Sequence, residues 1–262
     1  MAFEGLRLTS ELGRWRRAGQ TAVLWWRDDD ARAPTPALRR LLDLSDAHDI
    51  PLSLAVVPDG DPGSLAGGLQ SRPQVSVIQH GVDHQNRRQG SAAGEFSEDW
   101  TAERIGERLG AGWVKLALLP QAIPVFTPPW NDIHPALPGA LRRGGYLGLS
   151  AWGELSATGV PRRVDAHIDV MRWKKGPRFR GAGQVWAALR RELVRRRRFG
   201  RWDAPIGLLT HHLAHDAAAW AFLERFLDWS AEQPELRWAS AFELFAAGQM
   251  AAHPRREGQT SR

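Results

Sequence analysis

Residues 21–31 read TAVLWWRDDDA: six residues suited to a buried strand, Thr21–Trp26, run without a break into an arginine and three acids. Three adjacent carboxylates repel one another, so Asp28, Asp29 and Asp30 need a reason to stand where an apolar strand surfaces. A turn or capping role is one reason, because Asp favours turns. A solvated acidic patch is another. A metal with a neighbouring base is the third, since a nearby dication inverts the local charge balance. Alternation along an extended chain would place Asp28 and Asp30 on one side and Asp29 on the other.

Outward from this stretch, short apolar runs alternate with helical patterns. Thr35 can cap, and Pro36 can open, a helix whose Leu38, Leu41, Leu42 and Leu44 share a face. LSLAVV (52–57), VSVIQ (75–79), Val125–Thr127, Tyr146–Ser150, Val164–Val170 and IGLLT (206–210) read as strands, with a weaker one at Leu236–Ala239. Helices are expected over Ser97–Leu119, capped at Ser97 and interrupted around Gly110–Gly112, and near Pro138–Arg143. Further helices are expected over Gln184–Arg198, over Ala217–Glu232 and from about Ala241. This alternation predicts an α/β fold with parallel strands, over one domain at 1–252 followed by a polar, disordered tail at 253–262. In barrels and doubly wound sheets alike, chemistry collects at the C-terminal ends of the strands.

The polar residues fall there. Asp28–Asp30 follow the first strand, HGVDH (His80–His84) follows VSVIQ, and PPWND follows Val125–Thr127. Asp169 closes VDAHID with Trp173 four residues on, and HHLAHD (His211–Asp216) follows IGLLT. His80 and His84 are four apart, a spacing that sets two imidazoles on one side of a helical turn. Zn²⁺ suits two imidazoles and a carboxylate. The alternative is a turn bearing two solvated histidines.

The composition, 43% hydrophobic and 24% charged, is that of an ordinary globular chain, and no apolar run approaches a membrane span. Without cysteine there are no disulfides and no thiolate ligands, so a metal must be held by His and carboxylate. The N-terminal segment lacks a signal-peptide pattern, which makes the cytoplasm the expected location. The net charge of +6 is densest in RRELVRRRRFGR, Arg190–Arg201. That run reads as the solvated face and C-terminal end of a helix, or as a patch for an anionic partner; no recognised nucleic-acid module accompanies it. No G-x-S-x-G nucleophile elbow appears.

WRDDDA, HGVDH, FTPPWN, DVMRW and LLTHH occur in the order of the five motifs of the polysaccharide deacetylases (the NodB homology domain, of carbohydrate-esterase type), and the chain resembles that family from Trp26 to His212. The resemblance implies a distorted (β/α)7 barrel and metal-dependent hydrolysis of N-acetylated sugars. It also implies roles. Asp29 is the general base, and Asp30, His80 and His84 hold the metal, most simply Zn²⁺; a register one residue back would select Asp28 and Asp29 instead. His211 is the general acid, with His212 its competitor because alternation lets only one point inward. Asp169 orients that histidine, while Pro129, Trp130 and Trp173 wall the substrate site. The family's third motif carries an Arg that pairs with the base, and here Thr127 stands in its place. Arg27 occupies the position of the first motif's Thr or Ser, and sits two residues before Asp29, so it is expected to supply the missing cation. The expected substrate is a carbohydrate or a small amide. A small-molecule C–N hydrolase and a non-catalytic binding protein using the Arg190–Arg201 segment are the other readings.

Overall fold

The computed structural model describes residues 2–90, 92–155, 159 and 161–246; the tail at 253–262 lies outside them. Helix α1 (Ala2–Arg17) precedes strand β1 (Ala22–Ala31), and α2 (Pro36–His48) leads to β2 (Leu52–Val56). A short helix α3 (Ala66–Leu69) precedes β3 (Val75–His80), and α4 (Ala102–Leu116) precedes β4 (Ala122–Thr127). Then come α5 (Leu137–Arg143), β5 (Gly148–Leu149), β6 (Arg162–Arg163), β7 (Ala166–Asp169) and a hairpin of β8 (Met171–Arg172) and β9 (Arg178–Phe179). Helix α6 (Ala182–Arg198), β10 (Ile206–Thr210), α7 (Ala217–Ala231), β11 (Leu236–Trp238) and α8 (Ala241–Phe245) complete the order.

The main sheet is parallel throughout and runs β6-β5-β4-β3-β2-β1-β10-β7, with β11 paired beside the start of β1. Its two ends belong to one stretch of chain. β6 pairs with β5, the same register continues to the bridge Trp152↔Ala166, and β7 then pairs with β10. The segment 162–169 therefore closes the sheet on itself. Counting it once gives seven strands, the α/β barrel that the strand–helix alternation and the resemblance imply.

Period-2 alternation sorts β1 between two cores. Leu24 and Trp26 face the outer layer, where helices α2, α6 and α7 pack. Val23 and Trp25 face the barrel interior with Ala55, Ile78 and Val125, and α8 plugs that interior from below with Leu244 and Phe245. The Trp25 and Phe245 rings meet edge-on, 6.0 Å between centroids. Thr35 caps α2 through the Leu38 N–H with Pro36 at its first position, as the sequence predicts. Helix α4 departs from expectation: it begins at the Thr101 cap and runs unbroken past Gly110 and Gly112. A Cβ at Gly112 would come within 2.7 Å of the Gln79 side chain, so this glycine lets the helix approach β3 and does not interrupt it. The amphipathic α1 and the β8–β9 hairpin have no counterpart in the sequence reading.

The arginine-rich run is partly structural. Arg196 is fully buried, donating from Nε to the Ala204 carbonyl and pairing with Glu192. Arg197 pairs with the buried Glu11 of α1 at 2.6 Å, and Arg195 donates to the Gly153 carbonyl. No helix among the described residues is long and apolar enough to cross a membrane.

His167 on β7 is buried as a neutral ring. Nε2–H donates to the Glu154 carbonyl at 2.7 Å, Nδ1 accepts from the Gly207 N–H, and the Arg196 guanidinium lies 3.2 Å from Nε2. Burial, helped by the Arg196 charge, holds its pKa down to about 4. The unfolded chain takes up this proton near pH 6.5. Between those values the unfolded state binds more protons, so stability falls as pH drops from 6.5 towards 4, by on the order of 3 kcal/mol from this group. Urea denaturation of wild type and H167Q at pH 7 and pH 4.5 checks this: the acid loss should shrink in H167Q, and equal losses would reject the assignment.

Candidate active site

The inner face of β1 continues from Trp25 to Arg27 and Asp29 at the C-terminal mouth of the barrel. Arg27 is fully buried. Its Nη2 donates to Asp29 Oδ2 at 2.9 Å and to Asn131 Oδ1 at 3.0 Å. Nη1 donates to Ser150 Oγ at 2.8 Å and to the Ser150 and Ala151 carbonyls. Nε lies 2.9 Å from Asp29 Oδ1, an ion-pair contact off the N–H direction that leaves Oδ1 without a hydrogen-bond donor. Burying two ions costs several kcal/mol each unless contact and hydrogen bonds offset it; here the guanidinium makes four hydrogen bonds besides the one to Asp29, to Ser150, Ala151 and Asn131. Thr127, buried on β4, leaves its Oγ1 without a partner.

Strict alternation would turn Asp30 away from Asp29, but the backbone breaks it. Asp30 has φ +74°, and the β1–β2 register shifts between Asp28 and Ala31. A bulge of this kind re-aims a side chain at the cost of a strained conformation. Both carboxylates consequently face one cleft. Asp28 points outward: it accepts from His212 Nδ1 at 2.5 Å, from the His212 backbone N–H at 3.0 Å and from Thr210 Oγ1 at 2.6 Å. Burial opposes its ionisation, yet the His212 charge and these hydrogen bonds outweigh it and hold the carboxyl below its usual range.

His80 ends β3 and His84 sits beyond a tight turn at φ +56°, so no helical turn joins them as the spacing suggested. His80 Nδ1–H donates to the Thr127 carbonyl at 3.1 Å, which aims Nε2 at Asp30 Oδ1, 3.1 Å away. His84 Nε2 reaches the same oxygen at 3.2 Å. Burial works against the charged forms, but the hydrogen bonds from both imidazoles hold Asp30 well below the carboxylate range. Against its own burial, the charges of Asp29 and Asp30 push His80 up. Ligand atoms of Asp30, His80 and His84 lie within 4.8 Å of one another. The chemistry of the set fits a divalent cation: with its one neutral-ring proton committed to Thr127, His80 would face Asp30 lone pair to lone pair unless a proton or cation stood between them.

On β10 the alternation places His211 inward and His212 outward. His211 Nε2 is 4.0 Å from Asp29 Oδ2, and its ring meets Trp173 edge-on at 4.5 Å. Asp169 accepts from Trp173 Nε1 at 2.8 Å and from the Met171 N–H at 2.7 Å. Burial raises its pKa, against the opposing charge of His211. No hydrogen bond joins Asp169 to His211, whose Nδ1 has no partner. Asp169 thus fixes Trp173, which in turn walls His211, and does not hold that ring directly.

The cleft, of about 370 Å³, is lined by Asp29, Asp30, His80, His84, His211 and Asp169 at its floor. Half-exposed Trp130, Trp152 and Trp173 form its walls, with Asn131 and Arg180. Trp130 (φ +55°) packs its ring 4.6 Å from that of His84. Of the residues expected to touch substrate, Trp130 and Trp173 line the cleft and two do not. Pro129 is buried behind the Gly81 turn, where an added Cβ on Gly81 would come within 2.6 Å of its ring. His212 is buried on the far side of β10 against Asp28. Sequence reading missed Asn131, one residue past the Trp130 it singled out, and Arg180, whose Nε and Nη2 donate to the Asp169 and Met171 carbonyls. Trp25 lies in the barrel core, whereas Trp186 and Trp220 pack in the outer layer.

No protein-family model matches the sequence, and no curated protein does. Solved structures match the fold. The chain superposes on a protein from Mycobacterium smegmatis described as a polysaccharide deacetylase, with TM-score 0.59 at 16% identity over 93% of this chain and 96% of that one. The fold is that of the polysaccharide deacetylases. A mutant of a family 4 carbohydrate-esterase pseudoenzyme shares this deacetylase fold at TM-score 0.56 and 13% identity, over 86% of this chain and 67% of that one. So does a family 4 acetyl xylan esterase from Clostridium thermocellum in complex with a cobalt ion, at 0.50 and 14%, over 89% and 93%. Because a deacetylase fold houses esterases and a pseudoenzyme alike, activity is argued from the residues of the cleft.

Replacing Arg27 by Ala strands the buried Asp29 carboxylate. Breaking a buried pair this way costs about 3–5 kcal/mol. Urea denaturation of Arg27→Ala at neutral pH should show that loss; a loss below about 1 kcal/mol would mean that Asp29 does not depend on this cation.

Proposed function

We propose that this chain is a metal-dependent hydrolase that removes an N-acyl group, acetyl in the simplest case, from an N-acetylated sugar. The observation that carries the reading is the meeting, in one cleft, of the Asp30–His80–His84 donor set with a cation-paired carboxylate and an inward histidine. Two imidazoles and one carboxylate favour Zn²⁺ among divalent ions. When bound, such an ion supplies a Lewis acid that polarises the acyl carbonyl and acidifies the attacking water.

The remaining steps belong to the protein. Asp29 is the general base: it lines the cleft beside Asp30, and Arg27 aims its carboxylate there by donating to Oδ2. His211, across the cleft from Asp29, protonates the leaving nitrogen, which departs poorly as an amide anion. Asp169 acts through Trp173, holding the indole against the His211 ring. Trp130, Trp152 and Trp173 offer apolar faces of the kind on which sugar rings stack. Arg27 takes the role that the resemblance gives to the third-motif arginine, reaching Asp29 from β1 because β4 carries Thr127. The cation comes from β1, three strands along the sheet from β4, while its target is the same carboxylate.

Purified protein, loaded with Zn²⁺ and given N-acetylated chitooligosaccharides, should release acetate. Substituting Asp30, His80 or His84 by Ala should remove both metal and activity. Asp29→Asn should keep the metal and slow turnover about 10²–10⁴-fold, the usual worth of a general base. Release of amine from small amides with the sugars untouched would favour the small-molecule C–N hydrolase. A protein that takes up no divalent ion and acts on neither class would leave a binding protein on this fold.

A further inference from the structure

The turn that presents His84 is built around a residue that belongs to none of the motifs. Glu95 is buried, 2% exposed, and its carboxylate sits inside the Gly81–His84 loop. Oε1 accepts three consecutive backbone N–H groups, from Val82 at 2.8 Å, Asp83 at 2.9 Å and His84 at 2.6 Å. Oε2 accepts again from Val82 at 2.9 Å. Successive N–H groups converging on one anion form a nest, and an anion in it fixes the backbone around itself. Gly81 completes the fit: at φ +63°, a Cβ there would stand 2.5 Å from Oε1. The backbone that carries the carboxylate is held from behind. Phe96 packs in a core cluster with Val82 and Phe126, and Arg87 binds both the Glu95 carbonyl and Asp83.

We infer that Glu95 is a positioning residue for the metal centre, and that its carboxylate sets the place of the His84 imidazole by shaping the loop that carries it. The inference rests on the metal-centre reading above. His84 stands at a positive φ unfavourable for a residue with a Cβ, so the loop needs an outside constraint to hold it there. Three hydrogen bonds to a charged acceptor supply that constraint, and each is of the stronger, charge-assisted kind. The ring is then confined between the nest on its backbone side and Trp130 on its face.

Zn²⁺ affinity, measured by competition with a chromophoric chelator, tests this without recourse to turnover. E95A should bind Zn²⁺ about 10- to 100-fold more weakly than wild type, the range typical when the support of a ligand is removed. E95D, which keeps the charge but withdraws it by one methylene, should also lose affinity. E95Q retains an acceptor at the Oε1 position but loses the charge and the second acceptor, and should fall between wild type and E95A. Amide exchange at Val82–His84 in the metal-free protein should accelerate in E95A and E95D, and less so in E95Q. Should E95A not fold, E95D and the exchange rates decide. Wild-type affinity in a folded E95A or E95D, or a loss that simply follows thermal stability across all three variants, would overturn the inference alone. A wild type that binds no Zn²⁺ would overturn the metal-centre reading and this inference with it.

Discussion

Three consecutive carboxylates survive at the end of β1 because each is answered by a different cation source in a different direction. Asp28 turns outward to His212, Asp29 inward to Arg27, and Asp30, swung by its positive φ, to His80 and His84. Coulomb repulsion between neighbouring acids would otherwise neutralise one of them by shifting its pKa. The parallel register carries the same partition to β10, where Asp28 lies beside Thr210. His212 therefore meets Asp28 in the outer layer, and His211 meets Asp29 in the cleft. The outer pair ties together the ends of the two strands that bear the inner groups.

The parts of this arrangement that depend on local pattern were legible in the sequence. Thr21–Trp26 is apolar enough to read as a strand, and i, i+2 spacing places Arg27 with Asp29 whatever lies around them. The clustering of Asp, His and Trp just after apolar runs foretold the cleft at the strand ends. What was not legible depends on contacts made at a distance. The reversal of Asp30 requires a register shift against β2, and His84 reaches Asp30 through a turn shaped by Glu95, eleven residues further along the chain. Spacing of four suggested a helical turn because that is the local solution; the nest is a non-local one. The part Asp28 plays was hidden for the same reason, since its partner lies 184 positions away.

The exchange of Arg and Thr between β1 and β4 bears on how far resemblance carries. Read as a motif, Thr127 is a loss, and a fold shared with a pseudoenzyme makes such a loss weighty. Read as geometry, the guanidinium still reaches both oxygens of Asp29 and is braced by Ser150, Ala151 and Asn131. A buried ion pair is weak evidence for stability, since apolar residues of the same volume would do as well or better. Its place beneath the cleft is better explained by geometry: the guanidinium aims the Asp29 carboxylate into the space that Asp30, His80 and His84 also line.

The charges around the cleft point the same way. Asp28 and Asp29 have permanent or fully buried partners, so neither leans on anything outside the chain. Asp30 has only two imidazoles, and one of them has already given its Nδ1 proton to the Thr127 carbonyl. His80 can donate to Asp30 only as an imidazolium, a form that burial opposes and the Asp29 and Asp30 charges favour. A single dication would meet all three groups at once without a second proton on that buried ring. The same strained φ values that turn Asp30 and His84 toward one point cost stability and serve no packing purpose evident in the core. Strain of this kind persists where the surroundings over-determine it, and here the surroundings are a nest, a bulge and an indole arranged about one point.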